Sequence, residues 1–201
     1  MLATGNNPTN HKTSIRVTAD GFSFLDVCTP CTTMPLVQFS AEEQESVYQT
    51  VFSQADLLHH RVCHTVVKSL GVVVLFTVPN EDYEAFVAAH PDGTVTNRFA
   101  EVMAAAALFF QHDAPEGQSL LAYVDEEVLY LYSIIEGELR FANSFVLERE
   151  ENAIYYLLSV WKTLQLEMHQ DTCFIAGEEG AAQKLADEAA QFLFRVTLAD
   201  L

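Results

Sequence analysis

The residues best equipped for chemistry are the cysteines and histidines. Cys28-Thr29-Pro30-Cys31 is a C-x-x-C, and His59-His60-Arg61-Val62-Cys63-His64 crowds imidazoles and a thiol into one short segment. Zinc takes thiolate and imidazole ligands in tetrahedral sets, so Cys28, Cys31, Cys63 and His64 form the candidate metal group. The spacing is only a half match. There is no second C-x-x-C and no finger-type histidine pair, because His60 and His64 fall on a segment expected to bend. The competing reading puts His and Arg at a helix C-terminus, where they answer the dipole, and lets Cys63 enter a strand core. That reading is favoured, and no metal is expected. A thioredoxin-type role needs a helix that starts at the first cysteine and lowers its pKa. Thr32, Thr33 and Pro35 follow instead. No G-x-S-x-G, H-E-x-x-H, P-loop or full G-x-G-x-x-G occurs. Ser144 lacks the glycines of a nucleophile elbow and reads as a strand end. Tyr155, Tyr156 and Trp161 recur at helical spacing and read as core.

The elements that must position these groups belong to a sizeable globular chain. It has 201 residues, half of them apolar, with 10 Lys and Arg against 28 Asp and Glu, a formal charge of −18. High hydrophobicity excludes disorder. The acidity excludes a nucleic-acid binder, which needs a basic surface. The longest apolar runs, 71–78 and 102–110, fall short of the roughly 20 residues that span a bilayer. Residues 1–11 are polar and read as a flexible tail without a signal peptide, so a cytoplasmic location with reduced thiols is expected.

The pattern predicts a hairpin over 13–28 that turns at Asp20-Gly21, then a loop over 29–35. Ser40 and Glu43 form a capping box, opening a helix with Val47, Val51, Phe52, Ala55 and Leu58 on one face. Strands over 62–67 and 72–78 follow, then a helix over 81–89 capped at Pro79-Asn80. Asn97 caps an Ala-rich helix that runs to about 111. The linker at 112–118 sets a boundary between subdomains 12–115 and 116–201. Beyond it come strands over 120–124, 128–135 and 138–147, turning at Asp125-Glu126-Glu127 and Glu136-Gly137. A helix over 148–166 follows, with Ile154, Leu157, Leu158, Trp161 and Leu164 inward. A strand over 172–176, a helix through 192 and a strand over 194–198 complete the chain. Three meandering strands feeding an alternating helix–strand unit form the ribonuclease-H-like layout. Both halves open with a hairpin, so the fold class is α/β, a duplicated actin-like arrangement of two ribonuclease-H-like subdomains with mixed sheets flanked by helices. The same layout invites a nuclease reading through Asp125 and Glu178. It is disfavoured, because Asp125 ends its strand and the acidic chain repels the substrate.

Four segments resemble a bacterial family of unknown function with the actin-like ATPase fold: Ser14-Ile15 through Asp20-Gly21-Phe22-Ser23-Phe24, Phe76-Thr77-Val78-Pro79, Leu139 to Phe145, and Glu151 to Leu158, followed by a strand that ends in Gly177. The resemblance implies a nucleotide cleft between two halves. Its hairpin Asp residues and glycine turns face the phosphates, and a strand–glycine–helix junction admits the adenosine. On this chain that cleft comprises Asp20, Gly21, Ser23, Asp125, Gly177 and Gly180. Several positions depart from the pattern. Phe22 stands where a small residue suits phosphate, the second hairpin has no glycine, and Glu178 and Glu179 add charge beside the third turn. The expected function is therefore a non-catalytic interaction or scaffold protein with a degenerate nucleotide cleft and no cofactor. The alternative is an ATP-binding or phosphotransfer enzyme using ATP and Mg²⁺. Acids such as Glu42, Glu43 and Glu45 complement helix N-termini. Asp125, Glu126, Glu127, Glu178 and Glu179 instead crowd the phosphate positions and point to a cation or a basic protein surface. The expected partners are a basic protein and, through an exposed sheet edge after Phe194, a second copy; neither nucleic acid nor membrane is expected.

Overall fold

The computed structural model describes residues 12–18, 23–112, 117–125, 127–149 and 151–201. The chain divides into two compact units, residues 1–101 and 102–201. In the first, β1 (Lys12–Val17) pairs antiparallel with β2 (Ser23–Cys28), Val17 opposite Ser23. The turn at Asp20-Gly21 lies outside the described residues.

The segment expected to be a loop contains β3 (Cys31–Pro35). β-Branched Thr32 and Thr33 suit a pleated edge, and Pro35 is tolerated because it ends an edge strand. The next helix, α1, spans Gln44–Val51 and lacks the capping box. The Glu43 N–H bonds the Ser40 carbonyl at 3.1 Å in a turn, so the helix starts later than the motif suggests. It also ends early, at Phe52, which leaves Leu58 86% exposed instead of on the inner face.

β4 (His60–Val67) and β5 (Val72–Pro79) are antiparallel, and β5 lies between β3 and β4. This sheet carries a core of Met34, Val62, Val73 and Leu75 beneath Tyr48, with Phe52 and Ala55 packed against it. α2 spans Asn80–Ala89. Asn80 does not cap it; its side-chain amide donates to the Leu58 carbonyl at 3.1 Å. The sequence pattern misses β6 (Thr94–Asn97), which is too short to show periodicity and exists because it pairs in parallel with β2. Asn97 caps α3 (Arg98–His112) as expected, its Oδ1 accepting from the Phe99 N–H at 2.9 Å.

The division between units falls inside α3 and not at the 115/116 linker. Phe109 and Phe110 near its end pack edge-on against Phe174, which ties that part of the helix to the second unit. There β7 (Ser119–Val124), β8 (Val128–Ile135) and β9 (Glu138–Val146) form an antiparallel meander. Glu136 at φ 53° and Gly137 at φ 78° make the two-residue turn that the right-handed twist favours. α4 (Asn152–Thr163) leads to β10 (Thr172–Gly177), then α5 (Glu179–Ala189) leads to β11 (Val196–Leu198). β10 and β11 are parallel to β7, giving the order β9-β8-β7-β10-β11. A meander followed by parallel strands is the layout expected from the sequence; the order itself comes from the pairing. Leu157 and Trp161 of α4 and Leu185 and Ala189 of α5 pack on Leu120, Leu129, Leu131 and Ile175. Among the described residues no helix is long and apolar enough to cross a membrane.

Candidate functional site

Parallel strands bring their C-terminal ends together, and ligands in open α/β sheets bind outside those ends. Here the ends of β7 and β10 are in register, Val124 opposite Gly177. Gly177 has φ 125°, and a Cβ placed on it would lie 1.9 Å from the Val124 carbonyl oxygen. The next residue closes the junction, the Glu178 N–H bonding that same oxygen at 3.0 Å. The glycine is thus required by the protein's own backbone, whatever ligand approaches it. Asp125 follows Val124. Its Oδ1 accepts from the N–H groups of Glu127 (3.3 Å) and Val128 (3.1 Å), so the carboxylate holds its own turn. Beyond the junction α5 begins. Among the described residues nothing outside its own helix turn lies within 4 Å of the position a Gly180 Cβ would take.

These residues border a cavity of about 400 Å³ in the second unit, with Val124 and Leu185 among its apolar lining. Among the described residues, Asp125, Glu178 and Glu188 line it together with a single cation, Lys184. Lys184 and Glu188 are sites that motif reasoning missed. They follow Gly180 at intervals of four, the spacing that stacks residues on one helix face. Of the residues expected at a nucleotide cleft, Asp125 and Gly180 line this cavity and Gly177 forms its junction. Ser23 lies on β2 of the first unit, and Asp20 and Gly21 lie outside the described residues.

The candidate metal group is dispersed. Cys31 and Cys63 both pair with Phe76, one from each side of β5. Two inter-strand steps separate them by roughly 10 Å, with the buried Phe76 side chain between. Cys63 and His64 are successive strand residues and so point to opposite faces. Cys28 is on β2, in a different sheet. His64 donates through Nδ1 to Gln44 Oε1 at 3.0 Å and lies against Phe39, and burial lowers its pKa. Burial raises the Cys63 thiol to about 11. His59 lies in a turn and His60 opens β4, both tied to Asp56. The His59 ring donates to its carboxylate at 2.7 Å, which holds that carboxyl below its usual range, and the His60 ring donates to its carbonyl at 3.0 Å. Among the described residues no group of three His, Cys, Asp or Glu has metal-binding geometry. Asp125, Glu178 and Glu188 therefore share a cavity without forming a metal cage.

Three further residues complete the comparison with sequence. Ser144 is buried within β9, opposite Tyr130, and is not at a strand end. Trp161 is core, but Tyr155 is 68% exposed, packing edge-on to Tyr156, which stacks on Phe145 at 4.5 Å. Tyr48, unremarked in sequence, is buried. Its hydroxyl donates to the Pro30 carbonyl at 2.8 Å beside Thr77, and burial lifts its pKa to about 12. Its position between Val47 and Phe52 on the apolar helix face was the available signal.

No curated protein matches the chain. Among solved structures, a Bacteroides thetaiotaomicron protein with an actin-like ATPase fold and unknown function is similar at 21% identity and a TM-score of 0.75. That match covers 88% of this chain and 67% of the other. A PilM–PilN type IV pilus biogenesis complex matches at 10% identity and a TM-score of 0.44, covering 88% of this chain and 69% of the other. Archaeoglobus fulgidus Pelota matches at 9% identity and 0.34, covering 65% and 35%. These two scores are too low to bear on the fold, which rests on the first. The model of the family described as "Protein of unknown function (DUF3822)" matches residues 28–196, so this chain, with its actin-like ATPase fold, belongs to that family.

Proposed function

We propose that this protein is a non-catalytic interaction or scaffold protein of the cytoplasm, whose phosphate-facing end suits a cation or a basic protein surface better than a nucleotide. The observation that carries this reading is the lining of the cavity at the ends of β7 and β10. Among the described residues it holds three carboxylates, Asp125, Glu178 and Glu188, against one ammonium, Lys184. A carboxylate about 4 Å from a phosphate oxygen opposes it by on the order of 4 kcal/mol at an effective dielectric of about 20. Lys184 offsets one such term and leaves the others. Asp125, which would orient metal-bound water in a working ATPase, is engaged by its own turn. The same lining gives a lysine or arginine side chain from a partner several carboxylates to meet. The buried or half-buried thiols of Cys63 and Cys173, both raised by burial, accord with a reducing compartment.

One observation favours the alternative, an ATP-binding or phosphotransfer enzyme. The space over Gly180 is open and Lys184 stands in the same cavity. A thermal-shift titration with ATP, ADP and inorganic phosphate, each with and without Mg²⁺, separates the two. A ligand that binds the native state raises the melting temperature. We expect no rise. A rise of several degrees with ATP that disappears in Asp125→Ala or Lys184→Ala overturns the proposal.

A further inference from the structure

The five-stranded sheet ends in β11, which pairs with β10 on one side; among the described residues no strand pairs with its other side. The inward ladder is defined. The Arg195 carbonyl accepts from the Cys173 N–H at 2.9 Å, and the Ala199 N–H donates to the Ile175 carbonyl at 2.8 Å. Residues along a strand alternate in which neighbour they bond. Thr197 therefore faces β10, and the N–H and C=O groups of Val196 and Leu198 face outward.

Large apolar side chains gather at this edge. Phe194 is 72% exposed, and Phe192, Leu198 and Leu201 are exposed with it. Met168 adjoins them, its carbonyl accepting from the Phe194 N–H at 3.2 Å. Charge is also missing here. In a chain of net charge −18, residues 189–199 contain one charged side chain, Arg195. Bounded by Glu188 and Asp200, the stretch is a short interval of low negative charge along which two identical acidic chains can approach. Apart from its shortness, β11 carries none of the devices that blunt a sheet edge, having no proline, lysine or bulge.

We propose that β11 is a dimerisation strand that pairs antiparallel with β11 of a second copy about a two-fold axis perpendicular to the sheet. Opposed residues in such a pair point to the same face, so the axis sets a residue against its own copy. The register that uses only the outward groups of β11 puts Thr197 opposite Thr197. Val196 then lies opposite Leu198 of the second copy and exchanges both hydrogen bonds with it. Thr197 forms the non-hydrogen-bonded pair on the axis, with Cα atoms about 4.5 Å apart, and threonine facing threonine is a favourable cross-strand pair.

Cysteine placement reads this register directly. Thr197→Cys gives a covalent dimer on a non-reducing gel after air oxidation, because that Cα separation lies within the disulfide range of about 4.4–6.8 Å. Val196→Cys, which faces Leu198, does not, and the unsubstituted protein under the same oxidant does not. Light scattering at high micromolar concentration gives twice 22.4 kDa for the unsubstituted protein. Leu198→Lys, at a half-exposed position, gives a monomer with an unchanged melting temperature; if that variant does not fold, the Thr197→Cys cross-link decides. A monomeric unsubstituted protein overturns the proposal. So does a dimer that Thr197→Cys fails to link, which places the contact on another surface.

Discussion

Gly177 turns out of β10 at φ 125° directly against the carbonyl oxygen of Val124, so the strand-to-helix junction contains no room for a side chain. Gly177→Ala places a methyl group into that carbonyl on a backbone conformation that L-residues avoid. We expect a loss on the order of 3 kcal/mol, combining strained φ with overpacking. Gly180→Ala meets nothing outside its own helix turn within 4 Å among the described residues and changes stability by less than about 1 kcal/mol, in the stabilising direction that helix propensity sets. Urea denaturation of the two variants checks the contrast; equal losses would count against a backbone role for Gly177.

Tyr48 makes stability depend on pH in the alkaline range. Its phenol is raised from 10.0 to about 12 by burial. Below pH 10 it is protonated in both states, and its contribution is fully present. Between pH 10 and 12 the unfolded state loses the proton while the folded state keeps it, so stability falls by about 1.4 kcal/mol per pH unit. Tyr48→Phe removes this slope. At neutral pH it costs about 1–3 kcal/mol, because the buried Pro30 carbonyl loses its donor. Denaturation curves at neutral pH and across pH 10–12 for both proteins give the comparison.

Trp161 is buried, yet among the described residues its indole N–H has no hydrogen-bond partner. Trp161→Phe keeps most of the apolar contact with the sheet and deletes the unsatisfied donor, so the change stays below about 1.5 kcal/mol. Trp161→Ala opens a cavity beneath α4 and costs about 3–5 kcal/mol. A phenylalanine variant as damaged as the alanine one would show that the indole N–H finds a partner in solution.

Cys31 and Cys63 flank Phe76 on opposite sides of β5, and Cys173 is fully buried with its thiol raised to about 12. Burial keeps Cys63 and Cys173 from the thiolate character that drives reaction or disulfide formation. A thiol reagent at pH 8 labels these cysteines slowly in the native protein and rapidly in denaturant, read by peptide mass. Stoichiometric zinc in the purified protein that is lost in Cys31→Ser would contradict the dispersal seen in the fold.

The second unit was largely legible in sequence. Its strands alternate or run apolar, Glu136-Gly137 demands a tight turn, and α4 shows its buried face at helical spacing, all of which are local properties. In the first unit Asn97 was legible as a cap for the same reason. β3 and β6 were not, because strands of four or five residues have no period of their own and exist through pairing with β5 and β2. The capping box at Ser40 is a local pattern that the structure does not use. The site shows the same divide. The acids beside the phosphate positions could be counted from the chain, and of these Asp125 and Glu178 line the cavity. That Gly177 serves the Val124 carbonyl and that Lys184 and Glu188 join Asp125 at one cavity depend on how β7 and β10 align. Strand register is set by contacts between distant residues, which is why the sequence determined the elements and their charge while only the tertiary structure decided which of those charges meet.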